Sequence, residues 1–243
     1  MAKSSSNASR VSAAVTLVRE GIFQGRFAPG TPLRELSLAR ELNVSQATIR
    51  EALHRLEHAG LVTRKPNIGT TVTRLSPKDV RERVALRTSL EITAAEAAAA
   101  RMNDADFAEL ERRLAVLGQA IAADNYYEAA QSDLEFHRYV WQCSGNETLC
   151  RLLDLVAVPL FAFISILRSQ GLQRLRAVVE EHSPLVDALK TRDTARIRAA
   201  FQKGATSSYE AFLREGTGEQ TMAQVFGFLE VSGDQAAMDD QPS

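Results

Sequence analysis

Residues 29–62 read Pro-Gly-Thr-Pro-Leu-Arg-Glu-Leu-Ser-Leu-Ala-Arg-Glu-Leu-Asn-Val-Ser-Gln-Ala-Thr-Ile-Arg-Glu-Ala-Leu-His-Arg-Leu-Glu-His-Ala-Gly-Leu-Val. Pro29, Gly30 and Pro32 punctuate the chain before a first short helix, whose apolar stripe is Leu36, Leu38, Ala39 and Leu42. Asn43 suits the left-handed backbone that ends a helix, and Val44 plugs the turn. Ser45 is placed to cap a second helix, which turns Ile49, Ala52, Leu53 and Leu56 inward and leaves Gln46, Thr48, Arg50 and Arg55 to face elsewhere. Gly60 stops that helix. Two β-branched runs, Leu61–Thr63 and Thr70–Thr73, then flank the basic loop Arg64-Lys65-Pro66-Asn67-Ile68-Gly69. Two helices, a tight turn and a β-hairpin in this order predict a winged helix-turn-helix, a unit that lays its second helix in a DNA major groove.

Charge supports that reading. Residues 1–76 hold 11 Lys+Arg against 5 Asp+Glu, a net of +6, and residues 77–243 hold 18 against 25, a net of −7. A basic front and an acidic rear fit phosphate contact at one end only. At 243 residues, 45% hydrophobic and 24% charged, the chain has the composition of a globular protein large enough for two domains. Cys143 and Cys150 make no disulfide framework, which points to a reducing compartment and a cytoplasmic location. The apolar stretch Leu152–Leu167 is broken by Asp154 and Pro159, and no secretory leader pattern opens the sequence, so no membrane partner is expected.

Residues 1–10 are Ser-rich and read as a disordered N-terminus. A helix over residues 9–25, with Val11, Val15, Val18, Ile22 and Phe23 on one face, is expected to pack beneath the helix-turn-helix, completing a DNA-binding domain over 11–76. Ser76-Pro77-Lys78-Asp79 is a helix start. From Pro77 to about Arg214 nearly everything reads as helix: 77–102, 104–123, 126–143, 147–169 with a kink at Pro159, a segment restarted at Ser183-Pro184, and 194–214. The fold class is therefore mainly α, a winged helix-turn-helix followed by an antiparallel bundle of six or seven helices over 77–215, with an acidic tail over 216–243.

Several polar residues in the rear half invite a chemical reading. Asp133 and His137 are four apart and share a helix face, a spacing at which carboxylate and imidazole chelate a divalent ion. His182 is placed to join from another helix. Arg87 and Glu91 are also four apart. They read either as a cavity arginine that pairs with a ligand carboxylate or as an intrahelical ion pair. His54 and His58 repeat the spacing without a further ligand nearby and read as a solvated face, Trp141 as core, and Asn146 as a helix cap.

Pro29-Gly30, Leu38-Ala39, Val44-Ser45, Arg50-Glu51-Ala52-Leu53, Arg55-Leu56-Glu57 and Gly60-Leu61-Val62, with Arg87-x-x-x-Glu91, Asp133-x-x-x-His137, Gly145-Asn146 and Glu181-His182, resemble the GntR family of bacterial transcription regulators. The resemblance is to its FadR-like subfamily, whose ligand-binding domain is called FCD, and it spans about residues 11–214. It implies a homodimer on a pseudo-palindromic operator in double-stranded DNA, with Arg34, Ser45, Gln46, Thr48, Arg50, Arg64, Lys65 and Gly69 at the DNA. It also implies a small carboxylate effector in the bundle, held with Arg87 and a divalent metal (Zn, Ni or Mn) on Asp133, His137 and His182. The resemblance implies a repressor and no enzyme. An enzyme built on the Asp/His cluster and an effector-free architectural dimer are the rival readings. The sequence departs from the family twice. Gln46 and Ala47-Thr48 stand where an Arg and Thr-Pro are usual, and Gly204 stands where a further metal-binding His is expected.

Overall fold

The computed structural model describes residues 2–65, 69–169, 177–207 and 209–210. The first helix, α1 (Ala2–Phe23), buries Val11, Ala14, Val18, Ile22 and Phe23. It starts at Ala2, within the Ser-rich stretch that the sequence reads as a disordered N-terminus. Residues 2–20 contain neither Pro nor Gly, and nothing interrupts the backbone ladder as it propagates toward the N-terminus.

The helix-turn-helix consists of α2 (Glu35–Glu41) and α3 (Gln46–His58). Asn43 adopts φ +50° in the turn, and Ser45 Oγ accepts the Thr48 amide at 3.1 Å as the cap of α3. Gly60, at φ +72°, ends α3 and releases the chain into β1 (Val62–Lys65), which pairs antiparallel with β2 (Gly69–Val72) from Val62↔Val72 to Lys65↔Gly69. The wing tip, residues 66–68, lies outside the described residues.

The helical half comprises α4 (Pro77–Arg101), α5 (Asp104–Ala122), α6 (Tyr126–Cys143), α7 (Glu147–Ser169), α8 (Ala177–Thr191) and α9 (Thr194–Ser207). Ser76 and Asp79 form a reciprocal capping box at the start of α4, with the Ser76 amide donating to Asp79 at 2.8 Å and the Asp79 amide to Ser76 Oγ at 3.1 Å. Asn146 caps the next junction by accepting the Leu149 amide at 3.0 Å. The restart expected at Ser183-Pro184 is corrected, because α8 runs through both residues. Pro184 and Glu180, one turn earlier, are exposed, so water can serve the carbonyl that the proline leaves free. Residues 170–176 and the C-terminal part of the expected last helix and tail lie outside the described residues.

Pro159 does not end α7 either. It has no N–H to give the Leu155 carbonyl, and Arg83 of α4 donates to that oxygen at 3.1 Å instead. By length and composition α7 is apolar enough to cross a membrane, but 67% of its apolar window is buried inside this protein. Its apolar length is used between α4, α6 and α1. One core runs across the two halves: Val18, Ile22, Ile49 and Leu53 share a cluster with Trp141, Leu153, Ala157 and Phe161. Ser165 of α7 donates to the carbonyl of Phe23 at 2.9 Å, fastening α1 to the bundle.

Candidate DNA-reading face and helical-domain pocket

The exposed start of α3 presents Ser45, Gln46, Ala47 and Arg50. Arg34, at the head of α2, is exposed, and so are Arg64, Lys65 and Gly69 on the wing. Glu35, a residue that the motif reading passed over, gathers three of these groups. It accepts Gln46 Nε2 at 2.9 Å and Arg50 Nη2 at 2.8 Å, and Arg64 Nη2 lies 3.8 Å from it. The bond from Arg50 holds its carboxyl below the ordinary value, with smaller contributions from Gln46 and Arg64. Arg50 is bonded to Glu35 of α2 and not to Glu51 or Glu57 of its own helix. Thr48 is corrected: it is 3% exposed and its hydroxyl lies 2.8 Å from Ser45 Oγ, so it locks the cap instead of facing outward. Helical spacing alone places Thr48 with Arg50, but the cap draws its side chain under the turn. His54 and His58 are exposed and stack edge-to-face at 4.5 Å.

In the bundle, α6 brings Asp133 and His137 inward and α8 brings His182 to meet them. His182 Nε2 lies 2.9 Å from Asp133 Oδ1 and 3.2 Å from His137 Nε2, and His137 Nε2 is 3.6 Å from Asp133 Oδ1. All three residues are buried, and one ligand atom from each falls within 4.8 Å of the others. They line a small pocket, partly open to solvent, whose walls include Arg87, Phe161, Arg168, Glu181, Gly204 and Tyr209.

The ion-pair reading of Arg87 and Glu91 holds, and Arg87 reaches the pocket as well. The two form a buried ion pair on α4 at 3.2 Å, and Arg87 also lines the pocket, stacked over Phe161 at 4.6 Å with Nη2 3.3 Å from His137 Nε2. Glu91 accepts Trp141 Nε1 at 3.1 Å and lies 3.0 Å from His137 Nδ1. Burial by itself would raise the Glu91 carboxyl, but Arg87 and His137 outweigh it and hold it at about 2. Burial likewise opposes the charge on Asp133, yet His182, His137 and Arg168 keep it well below the usual carboxylate range. Burial lowers His137, which favours the neutral imidazole. Burial pushes the Tyr209 phenol up to about 12.

This donor set fits a divalent cation. A carboxylate beside the Nδ1 of a ligating histidine orients the ring and leaves Nε2 as the electron-pair donor, and Glu91 is placed to do this for His137. Two imidazole nitrogens and a carboxylate oxygen then converge, a combination that suits Zn²⁺, Ni²⁺ or Mn²⁺. Gly204 lines the pocket without a ligand atom. It does not leave open room for one, because a Cβ there would meet Leu185 Cδ2 at 3.2 Å. The orienting role of Glu91 and the part of Trp141 escaped the sequence reading, which placed Trp141 in the core. Arg168 had a signal, a cation closing the long apolar run of α7, and it sits 3.5 Å from Asp133. Glu181 stood beside His182 in the quoted motif without a role of its own, and Tyr209 had no signal that distinguishes a pocket wall from an ordinary helix residue.

The profile described as "Bacterial regulatory proteins, gntR family" matches residues 10–72, and that of the FCD domain matches residues 82–203. A protein of Paenarthrobacter nicotinovorans named "Probable D-xylose utilization operon transcriptional repressor" is 30% identical over 172 residues, 71% of this chain and 75% of that one. The HTH-type transcriptional repressor RspR of Escherichia coli (strain K12) is 26% identical over 188 residues, 76% of this chain and 81% of the relative. Among solved structures, E. coli McbR/YncC superposes with a TM-score of 0.72 at 22% identity, covering 84% of this chain and 96% of that one. That likeness concerns the fold. These relatives are transcriptional regulators, not enzymes. The chain belongs to the GntR family of bacterial transcriptional regulators, in the FadR-like group whose winged helix-turn-helix is followed by an FCD domain.

Proposed function

We propose that the protein is a cytoplasmic, homodimeric repressor whose grip on DNA is controlled by a small organic acid bound in the helical domain. The observation that carries this reading is the convergence of Asp133, His137 and His182 on one wall of a partly open pocket that Arg87 also lines. Asp133, His137 and His182 would hold the divalent cation, which supplies a Lewis-acidic anchor for a carboxylate. Arg87 supplies a second, bidentate one from above Phe161. The burial of Asp133 and His137 argues against an effector-free architectural dimer, which would turn them to solvent.

At the DNA, Gln46 and Arg50 would read base edges, Gln being suited to adenine and Arg to guanine. Arg34, Arg64, Lys65 and the exposed backbone at Gly69 would hold phosphates and set the register. Ser45 and Thr48 fix the start of the reading helix. A two-fold dimer would present two such helices to a pseudo-palindromic site. Leu86 on α4 and Leu152 and Leu155 on α7 are apolar and about half exposed, as a self-association surface requires.

The test joins elemental analysis with a gel shift on the DNA upstream of the protein's own gene. A stoichiometric divalent metal that chelation removes, together with DNA release by a carboxylic acid, is the expected result. Metal-free protein whose DNA affinity no acid alters would overturn the reading.

A further inference from the structure

We propose that the Tyr209 hydroxyl is a hydrogen-bond donor to the effector, and that the effector is therefore an acid with a second oxygen acceptor besides its anchoring carboxylate. The inference rests on the pocket being the effector site.

Tyr209 is 2% exposed and lines the same pocket as Arg87, His137 and Gly204. Its ring is packed among Leu75, Val84, Leu160 and Phe163, so aromatic bulk is well accounted for. The hydroxyl is not. It makes no hydrogen bond among the described residues, and the charges it feels are those of Arg87, Arg168, Asp133 and Glu91 around the pocket. A phenylalanine would fill the apolar site equally well, so what the tyrosine adds is a hydroxyl at the pocket wall. A bound acceptor would give that hydroxyl a partner.

The second acceptor follows from where the other polar groups stand. Asp133, His137 and His182 lie 2.9–3.6 Å from one another and Arg87 Nη2 lies 3.3 Å from His137, close enough for one carboxylate to engage them together. Tyr209 has no bond to any of them and follows α9, on a wall where Gly204 offers no polar side chain and Leu185 closes the space above it. A ligand that satisfies both walls carries a further hydroxyl, keto or carboxylate oxygen. A neutral phenol donates to such an oxygen, so acids with that extra acceptor are preferred over simple monocarboxylates.

The experiment is calorimetric titration of the full-length, metal-supplemented protein with malate and with acetate, in wild type and Tyr209→Phe. Malate is expected to bind wild type at least about tenfold more tightly than acetate, a preference that Tyr209→Phe loses while its acetate affinity and ligand-free melting temperature stay put. Equal preference in the two proteins, or wild type binding acetate as tightly as malate, overturns the inference and leaves the pocket an acid site. If malate, succinate, citrate and acetate all fail to bind wild type, the effector reading itself falls, and this inference with it.

Discussion

Replacing Glu91 by Gln changes one atom in volume terms and removes one charge from the most buried polar cluster of the protein. Glu91 is 1% exposed and Arg87 is 4% exposed, and their closest approach is 3.2 Å. Gln still accepts from Trp141, so that bond survives, but the Arg87 guanidinium keeps its charge without a neighbouring anion on its own helix. Breaking a buried pair by removing one partner costs about 3–5 kcal/mol, and the retained bond places this variant at about 3. For a chain of this size that corresponds to a melting temperature lower by about 6–12 °C. The assay is urea and thermal unfolding of chelator-treated protein, so that metal does not contribute. A double variant, Arg87→Met with Glu91→Gln, is expected to recover about 2 kcal/mol, because the orphaned cation is then absent. In metal-supplemented protein, Glu91→Gln should also weaken divalent-ion affinity about 10–100-fold by freeing the His137 ring. A Glu91→Gln protein that unfolds like wild type, or a double variant no better than the single one, would refute the assignment of Glu91 as the countercharge to Arg87.

Arg50→Ala should leave the circular dichroism spectrum unchanged and cost about 1–3 kcal/mol of specific DNA affinity, seen in a gel shift as roughly 10–100-fold weaker binding; undiminished affinity would remove Arg50 from the reading face. Gly204→His should leave the bound metal per chain unchanged, because the new Cβ meets Leu185 Cδ2 at 3.2 Å. Only Gly204→His with Leu185→Ala should bind more tightly, and a gain in the single variant would contradict the packing. Ser76→Ala should cost about 1 kcal/mol in urea unfolding at neutral pH. Ser76 bonds hold the Asp79 carboxyl below its ordinary value, so the stabilisation is present above the ordinary carboxylate range and is lost as pH falls through the lowered one. The gap between wild type and Ser76→Ala therefore narrows in acid, and a gap constant from pH 7 to pH 3 would refute the linkage.

The DNA-reading half was legible because each of its signals is local. Ser45, Asn43 and Gly60 act on backbone groups within four residues of themselves, and the structure places the cap, the positive φ and the stop where those residue types require them. The errors arose where a local rule met a non-local one. Thr48 obeys helical spacing, but its hydroxyl is drawn to the cap. Pro159 and Pro184 look like breaks, yet Arg83 from another helix serves the first and exposure on the helix surface serves the second. Spacing joins Asp133 to His137 and leaves His182 as a candidate from another helix; that the three form one set rested on family resemblance, because periodicity says nothing about where α8 packs. Glu35 and Tyr209 matter through partners 11 and more positions away, or through having none, and no periodicity carries that information.

An acid in the bundle can influence DNA only by binding two arrangements of the protein unequally, and the packing of α7 limits which arrangements are open to it. Phe161 and Arg168 of this helix line the pocket, whereas Pro159 and Ser165 of the same helix face the DNA-binding half. A Cβ on Gly60, at the end of the reading helix, would stand 2.9 Å from Pro159 Cγ, so α3 and α7 touch without slack. The shared core joins α1, α3, α6 and α7 and resists independent sliding of the two halves within one chain. A shift of α7 prompted from the pocket must then carry the winged helix with it as one body. In the proposed dimer, the quantity left to change is the placement of one chain's reading helix relative to its partner's. This favours control of half-site spacing over disordering of the reading head.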